Sequence, residues 1–147
     1  MTTSNLYPEL VQIVHEFFYD LDEMRYDALL GLMREDARWH RQGKTLQGHP
    51  QILAALEERS RTQRIRHLVT NAFVETSDDS QAVMLAYLIA YRFDDGTLRK
   101  PPLPISGPFR LLLVRTRFSR DGEQWRIAEQ RLDPQFEFTG SATTPAR

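Results

Sequence analysis

The sequence predicts an α+β fold in which helices cover one face of a curved antiparallel sheet. Three observations carry this. Apolar residues recur at three- and four-residue spacing in the first part of the chain and with period two in the rest. The period-two part is divided by hairpin signals rather than by helical stretches, so its strands pair antiparallel. The chain has 147 residues, 41% of them hydrophobic, which suits one domain with a substantial core.

Leu6, Leu10, Ile13, Val14, Phe17, Phe18 and Leu21 form the stripe of a first helix, with Pro8 in the first turn, where a missing N–H is tolerated. Asp20, Asp22 and Glu23 interrupt the pattern, and Tyr26, Leu29, Leu30 and Met33 restart it as a second helix packed on the first. A third opens at Gly48-His49-Pro50, carries Ile52, Leu53 and Leu56, and ends in Glu57-Glu58-Arg59. Residues 37–42 and 45–47 read as short strands around Gly43. Residues 65–76, 81–93, 108–119 and 123–133 read as four longer ones. Asp121-Gly122 is a two-residue hairpin turn and residues 77–80 form another. Residues 94–107 hold Pro101, Pro102 and Pro104 and are long for a hairpin loop, so a rim or lid is expected. Residues 1–138 are read as one domain and 139–147, small and polar, as a tail that frays.

Composition excludes several function classes. Nineteen Lys+Arg against 20 Asp+Glu leave a net charge of −1, so no nucleic-acid partner is expected. There is no cysteine, which removes disulfides, thiolate catalysis and Cys-type zinc or iron–sulfur sites. The first residues lack a secretory pattern, and the apolar run at 82–91 is far short of the ~20 residues that span a bilayer. A cytoplasmic protein with no membrane partner is expected. No histidine pair stands at metal-ligand spacing, and the glycines form neither a phosphate loop nor a dinucleotide fingerprint, so neither a metal nor a cofactor is expected.

Alternation sorts the strand at 65–76 into two sets: Ile65, His67, Val69, Asn71 and Phe73 on one face, Arg66, Leu68, Thr70, Ala72 and Val74 on the other. A two- or four-residue turn at 77–80 would place His67 opposite Ala90 and Asn71 opposite Ala86. Two polar side chains facing two alanines leave room for a small apolar or aromatic molecule. A one-residue slip would reverse the assignment. The other face is apolar too, through Val83, Leu85, Tyr87, Ile89 and Tyr91, so a homodimer through the outer sheet face is expected.

His67 on that wall could take or give a proton near neutrality, or be a histidine satisfied within the core. Asp22 could orient it, and four-residue spacing would put Asp22 and Tyr26 on one helix face. Asp22 could equally be the N-cap of the second helix. His49 reads as a cap, and only one of Trp39 and His40 can face inward.

Phe17-Phe18-Tyr19 through Met33, Glu35-Asp36-Ala37-Arg38-Trp39, Arg66-His67-Leu68-Val69-Thr70-Asn71 and Trp125-Arg126-Ile127 together resemble the nuclear transport factor 2-like superfamily, in its SnoaL-like branch. The resemblance spans residues 6–138. It implies a cone: a curved antiparallel sheet wrapped with three helices around a central cavity, in a cystatin-like α+β roll. Members include polyketide cyclases, scytalone dehydratase, ketosteroid isomerase, limonene epoxide hydrolase and the β subunits of ring-hydroxylating dioxygenases. For the dehydratases, Asp22 matches the helix aspartate and His67 the strand histidine, so a cofactor-independent dehydratase, isomerase or cyclase is implied, with Asp22 and His67 catalytic. Tyr26, Trp39, Asn71 and Arg131 would then position the substrate. Scytalone dehydratase has a second histidine on its fourth strand and this sequence has none, so the resemblance does not extend to its substrate. The dioxygenase β subunits share the Arg-His run and the late Trp-Arg-Ile and are largely structural, which makes a non-catalytic partner or ligand carrier the alternative.

Overall fold

Period-3.6 burial begins at once. In the computed structural model, which describes residues 6–139, helix α1 (Tyr7–Asp22) buries Leu10, Ile13, Val14, Phe17, Phe18 and Leu21. The expected tail lies outside the described residues, except Thr139. Met24, with a φ of 58°, breaks the chain between α1 and α2 (Tyr26–Gly31). Asp22 and Tyr26 therefore do not share a helix, contrary to the spacing argument. The second helix also stops short of Met33. The Leu32 carbonyl accepts from the Ile127 N–H at 2.8 Å, drawing the chain out of the helix and into β1 (Met33–Arg41).

Gln42 and Gly43 then reverse the chain with positive φ at both positions, the two-residue hairpin turn whose twist suits flanking strands, into β2 (Lys44–Gln47). Helix α3 (Gly48–Glu57) follows, with the Gln51 side chain accepting from the Gln47 N–H at 2.8 Å. His49 does not cap it; its ring reaches the Met33 carbonyl at 3.1 Å. Four long strands complete the chain: β3 (Arg64–Ser77), β4 (Gln81–Phe93), β5 (Arg110–Asp121) and β6 (Gln124–Glu137). Asp121 pairs with Gln124, so the last hairpin turns on Gly122 and Glu123, one residue later than Asp121-Gly122.

The fold is α+β, three helices on a curved six-stranded sheet of order β2-β1-β6-β5-β4-β3. One pairing departs from the antiparallel expectation. β1 lies parallel to β6, because α3 and four strands intervene and supply the crossover that a parallel pair requires. The core lies between helices and sheet: Phe17 meets Phe18 and Trp39 edge to face at 5.0 and 5.6 Å, above Met84, Leu88, Phe118 and Ile127. Among the described residues no helix is long and apolar enough to cross a membrane.

Two polar devices fix the β1–β6 seam. On the inner side the Trp39 Nε1–H donates to Gln130 Oε1 at 3.0 Å, and Gln130 Nε2 reaches Thr116 Oγ1 at 3.3 Å, all three residues buried. On the outer side His40 Nε2 lies 2.6 Å from Glu129 Oε2, and Glu129 Oε1 receives Arg117 at 3.4 Å. That His40 hydrogen bond holds the Glu129 carboxyl below its ordinary range against an opposing effect of burial.

The seam sets two expectations for stability. Gln130→Leu should lower unfolding free energy by about 1–3 kcal/mol in denaturant titrations, since the buried Trp39 N–H and Thr116 hydroxyl lose their partner. A carboxyl with a depressed folded pKa contributes stability above its unfolded value and loses it as pH falls through the folded one. Thermal melts of Glu129→Gln should therefore converge on wild type below about pH 4 and fall short of it at neutral pH, by about 0.2–1 kcal/mol for a pair at the sheet surface.

Candidate functional site

The site begins as a row across three strands. His67 opposes Ala90 and Ala90 opposes Arg110, so all three share the helix-facing side of the sheet. Strands lie ~4.8 Å apart, which sets the backbones of His67 and Arg110 about 10 Å from each other across the alanine. The His67–Ala90 register is the one that alternation and the 77–80 turn predict.

Asp22, the last residue of α1, meets His67 from the helical side. Its Oδ2 accepts from the His67 backbone N–H at 2.8 Å and its Oδ1 from ring Nδ1 at 2.6 Å. Both side chains are nearly enclosed, with exposures of 5% and 10%. A carboxylate at a helix C-terminus faces the negative end of the dipole, so these two donors offset an unfavourable position. Asp22 is no N-cap: α2 is preceded by Arg25 and has no side-chain cap. Since a carboxylate only accepts, Nδ1 carries the proton and Nε2 of the neutral ring is left as an acceptor. The Phe18 ring lies 5.4 Å from the imidazole, tilted by 41°.

Next to this pair, Arg59 Nη1 donates to the Leu21 carbonyl at 2.9 Å and to the Tyr26 hydroxyl at 3.1 Å. Tyr26 thus stands beside the end of α1 although it belongs to α2. Arg41, two residues after Trp39 on the same strand face, lays its guanidinium 4.7 Å above the indole. Burial, first, then repulsion from Arg59 and Arg110, push the Arg41 guanidinium down to about 10, with Tyr26 opposing.

Three of the expected substrate-binding residues stand elsewhere. Asn71 is exposed, with a φ of 58°, because β3 bulges there: Thr70 pairs with Tyr87 but Phe73 with Leu85. The bulge also turns Phe73 outward, to 52% exposure, and brings Ala72 and Val74 inward against the core. Arg131 is exposed on the outer face, because its neighbour Gln130 is the one that points in. Trp39 has no exposed surface at all and can support Arg41 but not meet a ligand. Conversely, Arg41, Arg59 and Arg110 are not among the residues that the sequence singles out. For Arg41 a signal exists, since period two from Trp39 carries it to the same face. Among the described residues no group of three His, Asp or Glu side chains could hold a metal ion.

Known proteins share this architecture. The chain aligns with Aln2 from a Streptomyces species at 17% identity and a TM-score of 0.72, covering 91% of this chain and 93% of that one. It aligns with ActVI-ORFA from Streptomyces coelicolor at 15% identity and 0.73, covering 89% and 98%. A protein of Novosphingobium aromaticivorans provisionally named a scytalone dehydratase matches at 16% identity and 0.73, over 100% and 94%. At these identities the likeness is one of fold. No curated protein matches the sequence. The family model of the SnoaL-like domain matches residues 2–131, and the chain belongs to that family.

Proposed function

We propose that this SnoaL-like protein is a cofactor-independent enzyme that moves a proton on an apolar, ring-bearing small molecule, as a dehydratase, isomerase or cyclase. The observation that carries the reading is the double hydrogen bond from His67 to Asp22. It fixes the tautomer with Nε2 as acceptor, so Nε2 can take a proton from a substrate carbon or hydroxyl. The imidazolium that forms is stabilised by the Asp22 carboxylate, which stays ionised. In a dehydration the same Nε2–H returns the proton to the departing hydroxyl, and the ring ends neutral. Such general base chemistry suits imidazole at neutral pH and requires no other group. The fold shared with the provisionally named dehydratase lends support.

A second copy of the chain, in this proposal, covers the outer sheet face. There Leu68, Phe73 and Tyr87 are 49%, 52% and 45% exposed on neighbouring strands. The same surface would serve a larger partner in the non-catalytic reading.

In turnover assays with a ring-bearing substrate found by ligand screening, His67→Ala should lower kcat by roughly 10²–10⁴-fold. Asp22→Asn should lower it by at least tenfold, because an amide cannot anchor the ionised ring. Unchanged turnover in His67→Ala would make the pair structural. Sedimentation velocity at micromolar concentration should give a dimer for wild type and a monomer for Tyr87→Lys; a wild-type monomer would refute the proposed interface.

A further inference from the structure

The side chains around the Asp22–His67 pair carry more positive charge than the protein neutralises. Arg41 and Arg59 have no carboxylate within 4 Å among the described residues. Arg41 has around it an indole face, a tyrosine and two further arginines. Arg59 donates to neutral oxygens, the Leu21 carbonyl and the Tyr26 hydroxyl. Arg110 reaches Glu137 at 3.2 Å, but that carboxylate is 70% exposed at the rim, and the buried Arg110 Nε has no partner. Asp22, the acid of the site, has both oxygens engaged by His67.

A half-buried guanidinium repelled by two others and without a carboxylate within 4 Å among the described residues is costly to keep. The hydrogen bonding of the core does not require it: the Trp39 N–H is satisfied by Gln130 without Arg41. An anion entering beside His67 would relieve the mutual repulsion. It would also offer acceptors to planar donor forks that a carboxylate fits in bidentate fashion. From this geometry we infer that the ligand of the site is an anion, an apolar ring bearing a carboxylate, with its charge held by Arg41 and supported by Arg59 and Arg110. The inference rests on the reading of the His67 site as a small-molecule site and names the class of molecule it takes. It also assigns Arg41 as a specificity-determining residue, which would orient the ring so that its reacting atom faces His67 Nε2.

The test uses a matched pair of probes, 1-naphthoate and its neutral near-isostere 1-naphthamide, titrated calorimetrically into the full chain. Naphthoate should bind at least tenfold more tightly than the amide, the order of magnitude of a charge-assisted bond. Arg41→Met should abolish that preference and leave amide affinity within about twofold, while Arg41→Lys should retain part of the preference. The melting temperature of unliganded Arg41→Met should be no lower than wild type, because an uncompensated charge has gone. Equal affinity for the two probes, an undiminished preference in Arg41→Met, or binding of neither at millimolar concentration would overturn the inference. So would a large fall in the melting temperature of Arg41→Met, which would assign the side chain to the fold. Charge preference and His67-dependent turnover are read separately, so either can fail while the other stands.

Discussion

One carboxylate joins the two halves of this molecule. Asp22 ends α1, and β3 is the free edge of the sheet, so the His67 backbone N–H that Asp22 accepts has no neighbouring strand beyond it. Edge amides must find a partner or water. Here the partner is the group that also grips the ring of the same residue, at 2.6 Å. Backbone and side chain of His67 are thereby fixed together, and neither can shift without breaking the other's bond. The main chain carries the imidazole's position, and the helix end carries its orientation. That is the preorganisation a proton-transferring group needs, because geometry is set before any substrate arrives.

How much of this was legible depends on where β3 bulges. Ser77 pairs with Ala82, Val74 with Met84, Phe73 with Leu85 and Thr70 with Tyr87, so β3 holds one surplus residue between Val74 and Thr76 and another between Thr70 and Phe73. Each surplus residue flips the inward set. Two flips cancel as to face. Together they shift the pairing by the same two positions that separate the observed pairing of Ser77 with Ala82 from the expected one of Thr76 with Gln81. His67 therefore opposes Ala90 as expected, while Asn71 and Phe73, between the bulges, are misplaced. Asn71 itself held the only local clue, being a residue that tolerates positive φ. Nothing in the pattern of apolar residues distinguishes a bulged strand from a regular one.

Helix ends were less legible than helix faces, for a related reason. The stripe from Leu10 to Leu21 is set by spacing, and the burial of α1 follows it residue by residue. The stop after Asp22 is set by one left-handed residue, Met24, a type with no intrinsic preference for that conformation. The stop of α2 is set by a hydrogen bond from Ile127 on the last strand, which no local rule can foresee. The family resemblance supplied what spacing could not, by linking Asp22 to His67. It supplied nothing about the arginines, which come from β1, from the segment after α3 and from β5.

The inward face of the β1–β6 seam shows how a core requirement can decide what surrounds a site. A buried indole N–H needs an acceptor, and Gln130 provides it. Because side chains alternate along β6, committing Gln130 inward sends Arg131 out, where it stands exposed. The same rule on β1, starting from Trp39, brings Arg41 in and lays it over the indole. One hydrogen bond within the core thus exchanges the arginine expected at the site for another, two residues beyond the tryptophan. Exchanging Trp39 for phenylalanine would remove the donor as well as part of the packing, leaving the Gln130 amide to find a new partner. The orientation of β6, and with it the placement of charge around His67, is in this sense a consequence of a tryptophan that no ligand ever touches.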